Sequence, residues 1–321
     1  MTPVILLTGF LGSGKTTLLQ RLLTDPSMAR AAVLINEYGE VGLDHHLLDR
    51  IDETVMLMKS GCICCTVRGE IAEALLNLES LRVTGRVDFD RVVMETTGLA
   101  DPWPVLQTLR AHPVLRSHFA SGGVLTTVDA VNAAGQLDHR AEALRQIAAA
   151  DRIVLTKTDL AASGAVFNLR RRLGRINPSA EVCDGAEPVA RLIGGLAPGF
   201  LPLPPDACDG QHHHDHDFGV QTFSMVFDRP LDWTAFGIWL GLLLHRYGDR
   251  IFRVKGILDV EGEERPVAIH GVQHLIHAPV HMTHWPEGPR VSRLVFILEG
   301  LDPTLVRRSF AAFLRLPEPV A

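Results

Sequence analysis

Nine consecutive residues near the start of the chain, Gly9-Phe10-Leu11-Gly12-Ser13-Gly14-Lys15-Thr16-Thr17, keep the spacing G-x-x-x-x-G-K-[ST]. Glycines let successive backbone N–H groups turn inward around phosphate oxygens, and a helix that starts there aims its positive end at the same charge. Gly9, Gly12, Ser13, Gly14 and Thr17 therefore read as a phosphate cradle, Lys15 as the reach to the β- and γ-phosphates, and the Thr16 hydroxyl as a ligand of Mg²⁺. The alternative, a glycine-rich turn that binds nothing, is disfavoured because an apolar run precedes the motif and a helical pattern follows it.

Two later segments extend this chemistry. The apolar run 91–94 ends in Glu95-Thr96-Thr97-Gly98. Ligands of open α/β sheets bind beyond the carboxyl ends of strands, so Glu95 is placed to hold the Mg²⁺ shell or to orient water, and Gly98 to approach a γ-phosphate. The run 153–156 leads into Thr156-Lys157-Thr158-Asp159, similar to the guanine-reading N-K-x-D with threonine in place of asparagine. Guanine presents its N1–H and exocyclic amine side by side, and the Asp159 carboxylate can accept both. Adenine lacks that pair and leaves a buried carboxylate unpaired, which favours GTP over ATP and disfavours an ATP-using kinase. The Lys157 stem covers the base face, and Thr156 is where the loop support departs from the motif.

Between these segments, Cys62, Cys64 and Cys65 place three thiols in four residues ahead of a helical pattern. They can converge on one soft or borderline metal, Zn²⁺ or Co²⁺, and a helix N-terminus downstream lowers their pKa. Apolar packing and redox sensing are the other uses of such a cluster. A second concentration of ligands, His212, His213, His214 and His216, reads as an auxiliary metal-gathering tract with Cys208 nearby, or else as a solvated linker. The spacing of His270, His274, His277, His281 and His284 could place several around one pocket, but they read rather as scattered polar positions, and Cys183 as core.

These residues need a scaffold. Short β-branched runs at 4–8, 32–35, 55–59, 91–94, 124–128 and 153–156 alternate with helical patterns at 16–23, 70–81 and 141–149. That rhythm predicts an α/β fold, a mainly parallel sheet with helices on both faces, over residues 1–196, and the phosphate motif of residues 9–17 makes it a P-loop NTPase fold. A Pro-rich and then His-rich linker follows over 197–217. Strand patterns at 220–227, 251–258, 266–270 and 294–297, with helical patterns at 233–245 and 304–314, predict a smaller C-terminal α+β domain over 218–321.

The chain has 321 residues, 46% of them apolar, so a sizeable core needs no staples. Lys and Arg number 31 against 37 Asp and Glu, and a net charge of −6 argues against nucleic acid as the main partner. No apolar run spans a bilayer and the N-terminus carries no basic leader, so no membrane partner is expected and a cytoplasmic location is. Five cysteines, an odd number, fit a reducing compartment.

Taken together, residues 9–17, 36–40, 61–65, 95–98 and 156–159, with Arg253-Val254-Lys255-Gly256 and Gly271-Val272-Gln273-His274, resemble the CobW-like family of P-loop GTPases, a group that includes metal chaperones. The resemblance covers nearly the whole chain. It implies that Cys62, Cys64 and Cys65 form a transferable metal site, that Glu37 is an auxiliary ligand, and that 36–44 respond to nucleotide. The expected function is a slow GTPase that delivers its metal to a client metalloprotein not named by these residues. A metal buffer or sensor with a regulatory guanine-nucleotide site is the alternative, and dimerisation controlled by metal or nucleotide is a further expectation.

Overall fold

The computed structural model describes residues 1–36, 55–58, 66–196, 219–286 and 289–314. Its first half is built on the strands β1 (Thr2–Gly9), β2 (Ala31–Asn36), β3 (Val55–Met58), β4 (Arg91–Glu95), β5 (Phe119–Asp129), β6 (Arg152–Thr156) and β7 (Glu181–Asp184). They form one sheet in the order β3-β2-β4-β1-β5-β6-β7, and every pairing is parallel. Parallel neighbours need crossovers, and the described ones are helices: α1 (Lys15–Thr24), α2 (Thr66–Val83), α3 (Trp103–Ala111), α4 (Leu115–His118), α5 (Ala133–His139), α6 (Ala141–Ala149) and α7 (Ser163–Ile176), while α8 (Val189–Ile193) follows the last strand.

Both faces of the sheet are apolar, as helices on both sides require. One face buries Val4, Leu6, Leu34, Val92 and Met94 against Ile71, Leu75, Leu106 and Ile147. The other buries Ile5, Leu7, Val33 and Val93 against Leu18, Leu19 and Leu22 of α1. The consequence for function is geometric: in an all-parallel sheet the carboxyl ends of all strands lie at one edge, so the segments after β1, β2, β3, β4 and β6 begin side by side.

The second half is an antiparallel sheet of β8 (Val220–Phe227), β9 (Ile251–Leu258), β10 (Val267–Val272), β11 (Leu275–Ile276), β12 (Val280–His281) and β13 (Ser292–Glu299), in the order β11-β10-β9-β13-β8 with β12 beside β10. Two helices, α9 (Trp233–Tyr247) and α10 (Pro303–Leu314), cover one face through Phe236, Trp239, Leu243, Val306 and Phe310. The Asp232 side chain caps α9 by accepting from the Ala235 N–H. The other face contributes Val220, Phe252, Val272 and Ile297 to the core of the first sheet, and Phe252 stacks on Trp103 at 6.1 Å. Among the described residues no helix is long and apolar enough to cross a membrane.

The fold expected from the sequence is the one observed, with helices α3, α4, α5, α7 and α8 and short strands β7, β11 and β12 added and several boundaries shifted. Strand β5 begins at Phe119, five residues before the apolar run, because Ser121-Gly122-Gly123 reads as a turn but pairs with β1 across a register irregularity between Val4 and Leu6. Strand β7 carries no apolar alternation and is held by its pairing with β6. Helix α2 starts at Thr66 rather than Glu70.

Candidate functional site

The phosphate motif occupies the turn from β1 into α1. Gly9, Gly12 and Gly14 all have positive φ, at 147°, 71° and 84°. At Gly9 a Cβ would stand 2.3 Å from the Thr127 hydroxyl and 2.6 Å from that of Ser13, so only glycine fits. Those two hydroxyls are hydrogen-bonded to each other at 2.6 Å, fixing the floor of the loop. Helix α1 has neither a side-chain cap nor an acid in its first turn, so no side chain competes there with an anion for the N–H groups. Lys15 is buried, with its ammonium donating to the carbonyls of Gly9 at 3.0 Å and Phe10 at 3.2 Å, which folds it over the loop.

Glu95 ends β4, the strand beside β1, and is buried. The Thr16 hydroxyl donates to its Oε1 at 3.1 Å, so the sequence-predicted Mg²⁺ ligands are brought into contact. An oxygen-only pair of hydroxyl and carboxylate suits a hard divalent cation. Gly98 is packed on the phosphate loop itself: a Cβ there would stand 2.9 Å from the backbone N of Leu11. Buried Gln146 of α6 holds this turn, its amide donating to the carbonyls of Gly98 at 3.2 Å and Ala100 at 3.1 Å.

At the end of β6, Thr156 supplies the support its motif position needs. Its hydroxyl donates to the Ser13 carbonyl at 2.8 Å and sits 3.3 Å from that of Val128, tying the base-reading segment to the phosphate loop. Lys157 adopts a left-handed φ of 56°, uncommon for a residue with a Cβ, and its ammonium bridges the Gly12 carbonyl at 2.8 Å and Asp129 at 2.6 Å. That contact stretches its stem along the phosphate loop. Burial opposes the charge on Asp129, but Lys157, Asn132 and two backbone N–H groups outweigh it and hold the carboxyl below its usual range. Asp159 is exposed rather than buried. The buried carboxylate expected there from the sequence is thus corrected: Asp159 stands in water, and an unpaired-carboxylate penalty against a mismatched base would arise only once a base covers it.

Sequence reasoning missed Thr127, Asp129, Gln146 and the turn after β7, where the Gly185 N–H donates to the Leu155 carbonyl at 2.6 Å and Arg21 of α1 donates to the carbonyls of Gly185 and Glu187. Asp129 was detectable as an acid at a strand end. The others act through partners far apart in sequence.

Glu37, Cys62, Cys64, Cys65, His212, His213, His214, His216 and Cys208 lie outside the described residues. The described flanks of Glu37 and of the three clustered cysteines are the end of β2 at Asn36, the end of β3 at Met58 and the start of α2 at Thr66. Among the described residues no group of three or more His, Cys, Asp and Glu side chains is arranged to hold a metal ion. Of the C-terminal histidines, His270 and His277 stack with ring centroids 4.3 Å apart, while His274 bonds the Leu244 carbonyl and Asp249, His281 faces Glu263, and His284 bonds Thr283. Cys183 is buried in the core beside Leu192, and burial pushes its thiol up to about 11.

Residues 3–184 match the family described as "CobW/HypB/UreG, nucleotide-binding domain", and residues 220–314 match "Cobalamin synthesis protein cobW C-terminal domain". The chain is 36% identical over 314 residues to the zinc chaperone YjiA of Escherichia coli, covering 96% of this chain and 97% of that protein. It is 30% identical over 346 residues to the zinc chaperone CobW of Pseudomonas aeruginosa, covering 95% and 89%. The crystal structure of Zn(II)-bound YjiA GTPase from E. coli superposes with a TM-score of 0.75 over 98% of this chain and 99% of that one, at 32% identity.

Proposed function

This chain belongs to the CobW/HypB/UreG family, and from that premise we propose that it is a GTP-hydrolysing zinc chaperone. The observation that carries the reading is the shared edge of the parallel sheet, where the phosphate loop, Glu95, Gly98 and Thr156 gather and where the flanks of the cysteine segment also end. Neighbouring strands lie about 4.8 Å apart, so β3 ends roughly 10 Å from β4 and roughly 14 Å from β1. That span is short enough for contacts made by a γ-phosphate to bear on a metal site.

In this reading Gly9 to Thr17 bind the phosphates and Asp159 reads guanine, with Thr156 and Lys157 bracing the base pocket. Thr16 and Glu95 would hold Mg²⁺, which when bound neutralises charge on the phosphates. Cys62, Cys64 and Cys65, assisted by Glu37, take Zn²⁺ as cargo; Co²⁺ suits the same donors. The His212 to His216 tract gathers metal for that site. The Gly98 turn, held by Gln146, is the element through which loss of the γ-phosphate is felt. A tenfold difference in zinc affinity between nucleotide states needs only about 1.4 kcal/mol, within reach of a few ordered contacts. Hydrolysis then loosens the ion for a client metalloprotein.

Metal counting over a single turnover tests this. Protein loaded with Zn²⁺ and GTP is allowed to hydrolyse its nucleotide in the presence of a chromogenic chelator. Delivery predicts one Zn²⁺ surrendered per GTP cleaved. Several ions retained through hydrolysis would instead make the protein a buffer or sensor.

A further inference from the structure

The joint between the two sheets contains a second polar site, remote from the nucleotide edge. Asp151, which follows α6, is buried there with both carboxylate oxygens committed. Its Oδ1 accepts from Arg253 and, at 3.2 Å, from Lys255, and its Oδ2 accepts the Val124 N–H at 2.9 Å. Arg253 and Lys255 are alternate residues of β9, so they present on one face of that strand. Arg253 also donates to the Ala149 and Ala150 carbonyls at the end of α6.

A small cavity opens beside this cluster, lined by Arg110, Asp151, Arg253, His270 and His277. Two guanidinium nitrogens that belong to its walls, Arg110 Nη1 and Arg253 Nε, are buried without a hydrogen-bond partner among the described residues. Arg253 is only 2% exposed.

The charges do not balance. Arg110, Arg253 and Lys255 bring three cations against one carboxylate, and the carbonyl end of α6 offsets about half a charge. A guanidinium cannot shed its proton, and a buried donor without a partner is costly. His270 and His277, with rings stacked at 4.3 Å, do not add a negative group. Burial, helped by Arg110, pushes His277 down to about 3, so its ring is neutral at pH 7. A cation is repelled by this lining, whereas an anion answers both unpaired donors.

We propose that this cavity binds a single chloride-sized anion between Arg110 and Arg253, and that the ion locks the antiparallel sheet onto the nucleotide-binding half.

The test uses the full chain. In crystals soaked in sodium bromide, an anomalous difference peak is expected between the two guanidinium groups. In solution, replacing gluconate by chloride at fixed ionic strength should raise the thermal midpoint by roughly 2 °C and saturate, as a bound ligand does. Arg110→Gln should lose that rise. A bromide map showing water alone, a midpoint equal in gluconate and chloride, or a response to phosphate without one to halides overturns the proposal. The wild-type comparisons stand whether or not the variant folds.

Discussion

Replacing Gln146 by leucine isolates the link between the γ-phosphate and the rest of the scaffold. The Gln146 amide donates to the carbonyls of Gly98 and Ala100, and these two bonds hold the turn that lies against Leu11 of the phosphate loop. Leucine keeps the volume and removes both donors. Each such bond contributes about 1 kcal/mol net, so the turn loses about 2 kcal/mol of its preference for the observed position. The loss acts on the nucleotide that uses the turn. At 1.4 kcal/mol per tenfold, affinity for a non-hydrolysable GTP analogue falls roughly 30-fold while that for GDP changes little. The variant should still fold, because the Gln146 Oε1 is itself buried without a partner and its removal relieves that cost. Calorimetric titration of both nucleotides into both proteins reads the ratio directly. Equal losses for GDP and the analogue, or no loss for either, would refute the role given to this turn.

Other perturbations separate the parts of the site. Lys15→Ala removes the ammonium that folds over the phosphate loop, so nucleotide binding is abolished while zinc binding persists; Cys64→Ser/Cys65→Ser does the reverse, and equilibrium dialysis with each ligand checks both. Asp159→Asn exchanges the carboxylate for an amide and costs about 1.5–3 kcal/mol against guanine, so GTP affinity drops roughly 10- to 100-fold with ATP affinity unchanged in competition assays. His277 titrates near 3 when folded because of burial, Arg110 adding to it, against about 6.5 when unfolded. Between those values the unfolded chain holds the extra proton, so stability falls on acidification by up to about 1.4 kcal/mol per pH unit. His277→Asn flattens that slope in urea melts at pH 7 and pH 5.

The parts of this molecule that could be read from the sequence are those written in consecutive residues. The switch from β-branched run to glycines to helical pattern at 4–23 specifies a turn whose chemistry is local, and Thr16 and Glu95 meet because β1 and β4 are parallel neighbours. Thr156 shows the limit of motif reasoning: its departure from asparagine suggested a weakened loop, yet its hydroxyl spans 143 positions to the Ser13 carbonyl. Gln146 and Asp151 left no sequence signal for a similar reason. Their partners, Gly98 and Arg253, lie 48 and 102 positions away, and a buried amide or carboxylate looks like any other until the fold closes around it. Strand β7 escaped detection because only Val182 and Cys183 of its four residues are apolar. Of the C-terminal histidines, which read as scattered in the sequence, His270 and His277 stack on each other in the fold while His274, His281 and His284 each take a different partner.

The central claim is that guanine nucleotide and zinc share one edge of the parallel sheet and are energetically linked. Zinc affinity of the wild-type protein, measured by chelator competition in the GTP-analogue and GDP states, tests it most directly. The account predicts that zinc is held at least tenfold more tightly beside the triphosphate. The same affinity in both states contradicts it.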